Sequence, residues 1–213
     1  SAIDALPYYH SSVFQSNNLS VRANRLSYVG ERGYELYVAK NQARRLWQHL
    51  MREGADLQIT PAGFHAMNAC RMEKGYRHWG HDIYDHITPL QAGLGFAVAK
   101  DKTNFIGHAA LADQQGVQTR HLVHLAIEGS DTVFMIHDEP VYRDGVAVGL
   151  TTSAAWGHRL DKSLAIAELH HADGVTKRWL DTGRFEVEVA LRRYPVTVQF
   201  APFYDPKSLR MRD

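Results

Sequence analysis

Arg71-Met-Glu-Lys-Gly-Tyr-Arg-His-Trp-Gly-His-Asp82, followed by Thr88-Pro-Leu-Gln-Ala-Gly-Leu-Gly95, is the stretch on which the reading of this chain turns. Its first residues close a helix. Thr60 is the expected N-cap, Pro61 suits the first helical position, where a missing N–H costs nothing, and Gly75 is the expected stop. The apolar positions on that helix, Ala62, Ala66, Ala69 and Cys70, are small and imply close packing. Arg71 and Glu73 lie two positions apart and do not face each other on a helix, so separate contacts are expected rather than one ion pair. From residue 76 to 95 the chain is rich in Gly, Pro, His and aromatics and reads mostly as loop.

Upstream, Val21 to Val29 and Tyr34 to Ala39 suit strands, and Gly30-Glu-Arg-Gly33 between them reads as a hairpin turn. That register pairs Val29 with Tyr34 and Tyr28 with Glu35, which would set a phenol beside a carboxylate on one face. Such a pair suits a heterocycle with donor and acceptor edges, and it equally suits an ordinary cross-strand contact on a solvated face. Ala43, Leu46, Trp47, Leu50 and Met51 then recur with the spacing of a helix that buries one stripe, and Gly54 can end it.

Downstream, Gly107 to Gly116 carries a short helical pattern, after which the texture changes. Short alternating runs follow at His121 to Ile127, Thr132 to Tyr142, Val146 to Thr152, Leu164 to Leu169, Arg184 to Leu191 and Val196 to Phe200. Asp144-Gly145 is a hairpin turn signal, and Phe185, Val187, Val189 and Leu191 alternate with Glu186 and Glu188. Runs this short and this closely spaced predict a small closed or two-layer antiparallel unit. The boundary falls in Asp113-Gln-Gln-Gly-Val-Gln-Thr-Arg120, giving parts 1–117 and 118–213 of an α+β chain.

The bulk numbers exclude more than they assign. A chain of 213 residues can bury a core without staples, and 24 Lys plus Arg against 23 Asp plus Glu leave no basic footprint for nucleic acid or an anionic membrane. No apolar run is long enough to span a bilayer. Cys70 is the single cysteine, which forbids an internal disulfide and fits a reducing compartment. The opening Ser1-Ala-Ile-Asp-Ala-Leu-Pro7 lacks both regions of a signal peptide and has no Met, as expected of an excised or processed piece. No glycine fingerprint for a dinucleotide or for ATP phosphates is present. His78, His81, Asp82 and His86 have a spacing that zinc or iron could use, but thirteen histidines make chance clusters common, and no metal site is assigned. Cys70 has no flanking acid-base partner and reads as a packed thiol.

Taken with Ser27-Tyr-Val-Gly-Glu-Arg-Gly-Tyr-Glu-Leu36, the two motifs quoted first resemble those of the folate-binding aminomethyltransferase family, the T-protein of glycine cleavage. The resemblance runs over nearly the whole chain. Lys74-Gly-Tyr-Arg77 with Trp79-Gly-His-Asp82 is similar to the branch fused to dimethylglycine and sarcosine dehydrogenases, and Met67 stands where stand-alone members often carry an arginine. The fold so implied is a portion of a three-lobed folate-binding structure with a C-terminal antiparallel β-barrel-like lobe. By resemblance, Tyr28 and Glu35 would hold the pteridine ring of tetrahydrofolate and Tyr76 would line its site. Tyr9, or Tyr8 in its place, would stack near it. Arg71 would either contact folate or tie the helix to its turn, and Trp79 would line the site or pack in a core.

The family's acid-base aspartate has no match in this chain, so no catalytic residue is assigned. The resemblance implies capture of a one-carbon unit from a methylated amine as 5,10-methylenetetrahydrofolate. FAD would sit only on an upstream flavin domain, with the bacterial cytoplasm or mitochondrial matrix as the setting. A stand-alone glycine-cleavage aminomethyltransferase and a non-catalytic folate-binding or regulatory module are the alternatives.

Overall fold

The computed structural model describes residues 3–99, 101–114 and 116–212; Ser1 and Ala2 of the opening segment and Gln115 of the expected boundary lie outside them. Two compact units emerge. One comprises Ser1–Cys70 with Lys207–Asp213, the other Arg71–Pro206.

The first unit is built on an antiparallel sheet of β1 (Ser11–Ser16), β2 (Leu19–Asn24) and β3 (Glu35–Tyr37). The β1–β2 turn is Asn17-Asn18, both left-handed at φ 48° and 57°, a conformation asparagine tolerates better than most side chains. In β2, Leu19, Val21 and Ala23 alternate with exposed Ser20 and Arg22, and their buried face packs on Leu46 and Leu50 of α1 (Ala43–Glu53). Gly54 ends α1, its N–H donating to the Leu50 carbonyl at 2.9 Å. Only Leu46 of the expected stripe is fully buried, and Trp47 is 54% exposed.

The expected hairpin is corrected here. Residues 25–34 form a long irregular connection, and β2 pairs with β3 through Asn24↔Glu35, Ala23↔Leu36 and Arg22↔Tyr37. Glu35 therefore lies opposite Asn24, not Tyr28. Arg25 keeps its backbone bond on the β1 side, its N–H donating to the His10 carbonyl at 2.9 Å, while its buried side chain donates to the Leu6 carbonyl at 3.0 Å.

The next helix, α2 (Phe64–Lys74), starts after the expected Thr60-Pro61 cap. Thr60 instead donates its hydroxyl to the Gln58 carbonyl at 3.1 Å, closing a local turn. Ala62 and Ala66 are exposed, whereas Arg71, Met72, Glu73 and Lys74 are buried. The packed end of this helix is thus charged, which a scan for small apolar residues passes over.

In the second unit, α3 (His108–Ala112) follows the loop, and then six strands close a barrel in the order β4-β7-β6-β5-β8-β9. They are β4 (Arg120–Ile127), β5 (Pro140–Arg143), β6 (Val146–Gly157), β7 (Lys162–His170), β8 (Phe185–Val189) and β9 (Arg192–Gln199), all neighbours antiparallel. Asp144 and Gly145 make the β5–β6 turn with φ 51° and 83°, which joins Arg143 directly to Val146.

The barrel interior holds Val123, Leu125, Val141, Ala165, Ala167, Leu169, Phe185, Val187 and Val196. Its end is covered by α4 (Lys177–Thr182), which presents Trp179 and Leu180 to that core and is capped by the Thr176 hydroxyl accepting from the Trp179 N–H. Two expectations fail locally. Residues 132–139 are irregular, and Leu191, 94% exposed at φ 65°, is half of the Ala190-Leu191 turn rather than a continuation of β8.

Candidate functional site

In the second unit the site is organised by the end of α2. Gly75 takes φ 69°; its N–H donates to the Met72 carbonyl, and the Tyr76 N–H reaches back to the Arg71 carbonyl at 2.9 Å. These bonds form a Schellman turn, which satisfies the last carbonyls of the helix and throws Tyr76 out of it, half-buried. A side chain at position 75 would collide with the His124 ring.

Arg71 fixes the same turn from inside. Its Nη1 donates to the Tyr76 carbonyl at 3.1 Å, to Asp82 Oδ2 at 2.7 Å and to Ser153 Oγ at 3.1 Å. Asp82 also accepts from the His78 N–H at 2.8 Å, from Ser153 Oγ at 2.6 Å and from the Thr152 hydroxyl. Adjacent residues of a regular strand point to opposite faces, yet both hydroxyls reach one carboxylate. The reason is a bulge: Thr151 pairs with Ala167 and Ser153 with Ile166, leaving Thr152 as the extra residue.

Glu73 turns elsewhere, taking Arg159 Nη1 at 2.7 Å and the Arg159 N–H at 2.6 Å, so Arg71 and Glu73 do make separate contacts. Lys74 donates to Asp205 at 2.9 Å. Asp82 of the tentative metal cluster is wholly engaged in bonds within the protein. His78 stacks on His81 with centroids 4.7 Å apart, and burial lowers its affinity for a proton.

Arg77 runs under the loop, donating through Nη1 to the Gly75 carbonyl at 2.7 Å and through Nε to the Ala92 carbonyl at 3.0 Å. Burial holds its guanidinium below its ordinary pKa. His121 is shifted the same way by burial, and His124 is pushed down to about 3, by burial first and then by the charges of Arg77 and His121. Trp79 is 70% exposed, with an isolated backbone bridge to Ile83, which removes its core reading.

The remaining candidates lie in the first unit. Tyr28 is half-buried on the 25–34 connection, and Glu35 begins β3, half-buried. The Tyr37 hydroxyl donates to Glu35 Oε2 at 2.5 Å, and the bond and the carboxylate charge raise the phenol's pKa. Tyr9 is 71% exposed at φ 64° and lies against Tyr8, ring centroids 4.0 Å apart; the Tyr8 hydroxyl points to the Met211 sulfur at 3.7 Å. Cys70 is half-buried.

Two family models cover most of the chain: the GCVT N-terminal domain over residues 1–102 and the glycine cleavage T-protein C-terminal barrel domain over residues 120–205. The chain belongs to the glycine cleavage T-protein family. It is 39% identical over 98% of its length to 4-methylaminobutanoate oxidase (formaldehyde-forming) of Paenarthrobacter nicotinovorans, of which it covers 25%. It is 32% identical over 98% of its length to human mitochondrial sarcosine dehydrogenase, of which it covers 23%. The T-protein fold is shared with the glycine cleavage system aminomethyltransferase T of Bartonella henselae, at a TM-score of 0.79, 24% identity, and coverage of 95% of this chain and 54% of that one.

The chain thus spans about a quarter of the two relatives and about half of the solved T-protein. The sequence pointed to this family and to its C-terminal barrel, and both stand. Two features it did not reveal are the Asp82 anchor and Tyr37. The second had a signal, since Glu35 and Tyr37 sit two apart on a strand and share a face. The first did not, because a bulge leaves no mark in an alternating pattern. Among the described residues no helix is long and apolar enough to cross a membrane.

Proposed function

We propose that this chain is the tetrahydrofolate-binding portion of a protein that captures a one-carbon unit from an N-methylated amine as 5,10-methylenetetrahydrofolate. One observation carries the reading: the same 98% of the chain that bears both T-protein models aligns with an oxidase of 4-methylaminobutanoate and with sarcosine dehydrogenase, two enzymes named for N-methyl amines. On this reading residues 1–117 serve the folate and 118–213 form the barrel lobe. A flavin belongs to a separate domain, and the setting is a bacterial cytoplasm or the mitochondrial matrix.

The donor set fits the pterin. Its N3–H and 2-amino group present two parallel donors, the pattern a carboxylate accepts with both oxygens, and Glu35 has one oxygen held by Tyr37 and remains partly accessible. When bound, tetrahydrofolate supplies the nucleophilic nitrogen that accepts the one-carbon unit. Glu35 accepts from the pterin edge and sets its orientation, while Tyr28 and Tyr9 of the same unit offer rings and hydroxyls to its surround; Tyr76 is assigned to folate by the family resemblance. Arg71, almost sealed from solvent, serves the site through the Tyr76 carbonyl that it holds. The contribution of these residues is orientation, which turns a bimolecular capture into an effectively intramolecular one.

Calorimetric titration of tetrahydrofolate into the intact protein tests the proposal. Glu35→Ala should weaken binding by about 1.5 to 3 kcal/mol, the worth of a hydrogen-bonded charge. Unchanged affinity in a folded variant removes Glu35 from the site, and tight binding without methylenetetrahydrofolate formation would make the protein a folate-binding module.

A further inference from the structure

We infer that Tyr37 is a positioning residue for the carboxylate of Glu35, a role that rests on the folate reading given above. Both residues lie on β3, two apart, so their side chains leave the sheet on the same face. The Tyr37 hydroxyl donates to Oε2 at 2.5 Å, a length typical of a bond whose acceptor carries the full negative charge. The raised pKa of the phenol has the same origin, and it keeps the hydroxyl protonated as a donor.

The geometry has a direct consequence for recognition. A glutamate on a three-residue edge strand has three rotatable bonds, and a half-buried one samples many orientations unless something holds it. Among the described residues Tyr37 is the only side chain that bonds the Glu35 carboxylate. It is attached at one oxygen only. That leaves Oε1 and the second lone pair of Oε2 for a ligand with two parallel N–H donors, while the plane of the carboxylate is set before the ligand arrives. Across the strand pair, Asn24 stands opposite Glu35 and Arg22 opposite Tyr37. Tyr37 is itself 52% exposed, so loss of its hydroxyl removes the bond without opening a core.

The test is a double-mutant cycle read by calorimetry with tetrahydrofolate on the intact protein: wild type, Tyr37→Phe, Glu35→Ala and the double variant. Tyr37→Phe should weaken binding about five- to tenfold when Glu35 is present, the factor expected for the net worth of one hydrogen bond, and less than about twofold when it is absent. A role in folding alone would shift thermal stability and give equal losses in both backgrounds. Equal losses would overturn the inference, as would a Tyr37→Phe variant with wild-type affinity while Glu35→Ala binds weakly. If Glu35→Ala itself binds as wild type, the folate site reading falls, and this inference with it.

Discussion

Arg71 and Asp82 meet at 2.7 Å with their side chains only 2% and 0% exposed, and the contact joins the last turn of α2 to the loop that follows it. Neither charge has water to fall back on. Each is instead surrounded by partners from other elements, the Tyr76 carbonyl and Ser153 for the cation and Thr152, Ser153 and the His78 N–H for the anion.

Removing one partner should therefore be far worse than removing both. Arg71→Met strands a buried carboxylate and should cost about 3 to 5 kcal/mol, whereas adding Asp82→Leu to it should recover part of that loss. Urea unfolding of the three proteins measures the coupling. Strictly additive losses would mean that the two residues stabilise the fold independently.

The barrel gives a sharper test of side-chain direction. Val187 is fully buried among the core residues while Glu186, next to it, faces outward at 38% exposure and 4.0 Å from Arg193. Val187→Asp should destabilise by several kcal/mol, and Glu186→Lys by about half a kcal/mol. Thermal and chemical denaturation of the two variants checks it; similar losses would contradict the alternation seen in β8.

Acid should weaken the fold through His124. Its imidazole titrates near 3 in the folded protein and near 6.5 when unfolded, so below about 6.5 the unfolded chain binds a proton that the folded one refuses. The stability this neutral ring provides is complete above pH 6.5 and is lost as the pH falls toward 3; the shift of His121, caused chiefly by burial, acts in the same sense. Between pH 7 and 5 wild type should lose about 2 kcal/mol more than His124→Leu, measured by urea titration at each pH. Parallel losses would clear the imidazole of the effect.

Gly75→Ala should be costly in a way that Gly→Ala in ordinary loops is not. The residue sits at φ 69° and a methyl group there would overlap the His124 ring. A loss of about 2 kcal/mol or more is expected and, on the folate reading proposed above, weakened tetrahydrofolate binding as well, because the same turn presents Tyr76. Wild-type stability and affinity would show that the turn can reshape freely.

How much of this was readable in advance follows from the range of the interactions. The β4, β5–β6 turn, β7 and β8 assignments came through because alternation and an Asp-Gly turn are local properties that the barrel merely uses. Glu35 was paired with the wrong residue, Tyr28. Its strand partner is Asn24, reached across the irregular 25–34 connection, which is longer than the Gly30-Glu-Arg-Gly33 turn signal encodes. The start of α2 was misjudged because the helix begins only at Phe64, while Thr60 closes a local turn by donating to the Gln58 carbonyl. The family motifs drew attention to Tyr76 and Arg71, but the partners of Arg71 lie up to 82 residues away, at a bulge.

That bulge at Thr152 also sets an order of events during synthesis and folding. The loop that carries Tyr76 leaves the ribosome long before the strand whose two hydroxyls lock it, 70 and 71 residues further along. Until β6 has paired with β7 in the shifted register, Asp82 has only Arg71 and a backbone N–H to hold it, and the loop stays unset. Non-local closures of this kind are the slow ones. The set form of this loop should thus be acquired late, with barrel closure, so that a lesion which slows pairing of β6 with β7 delays maturation of a loop it never touches.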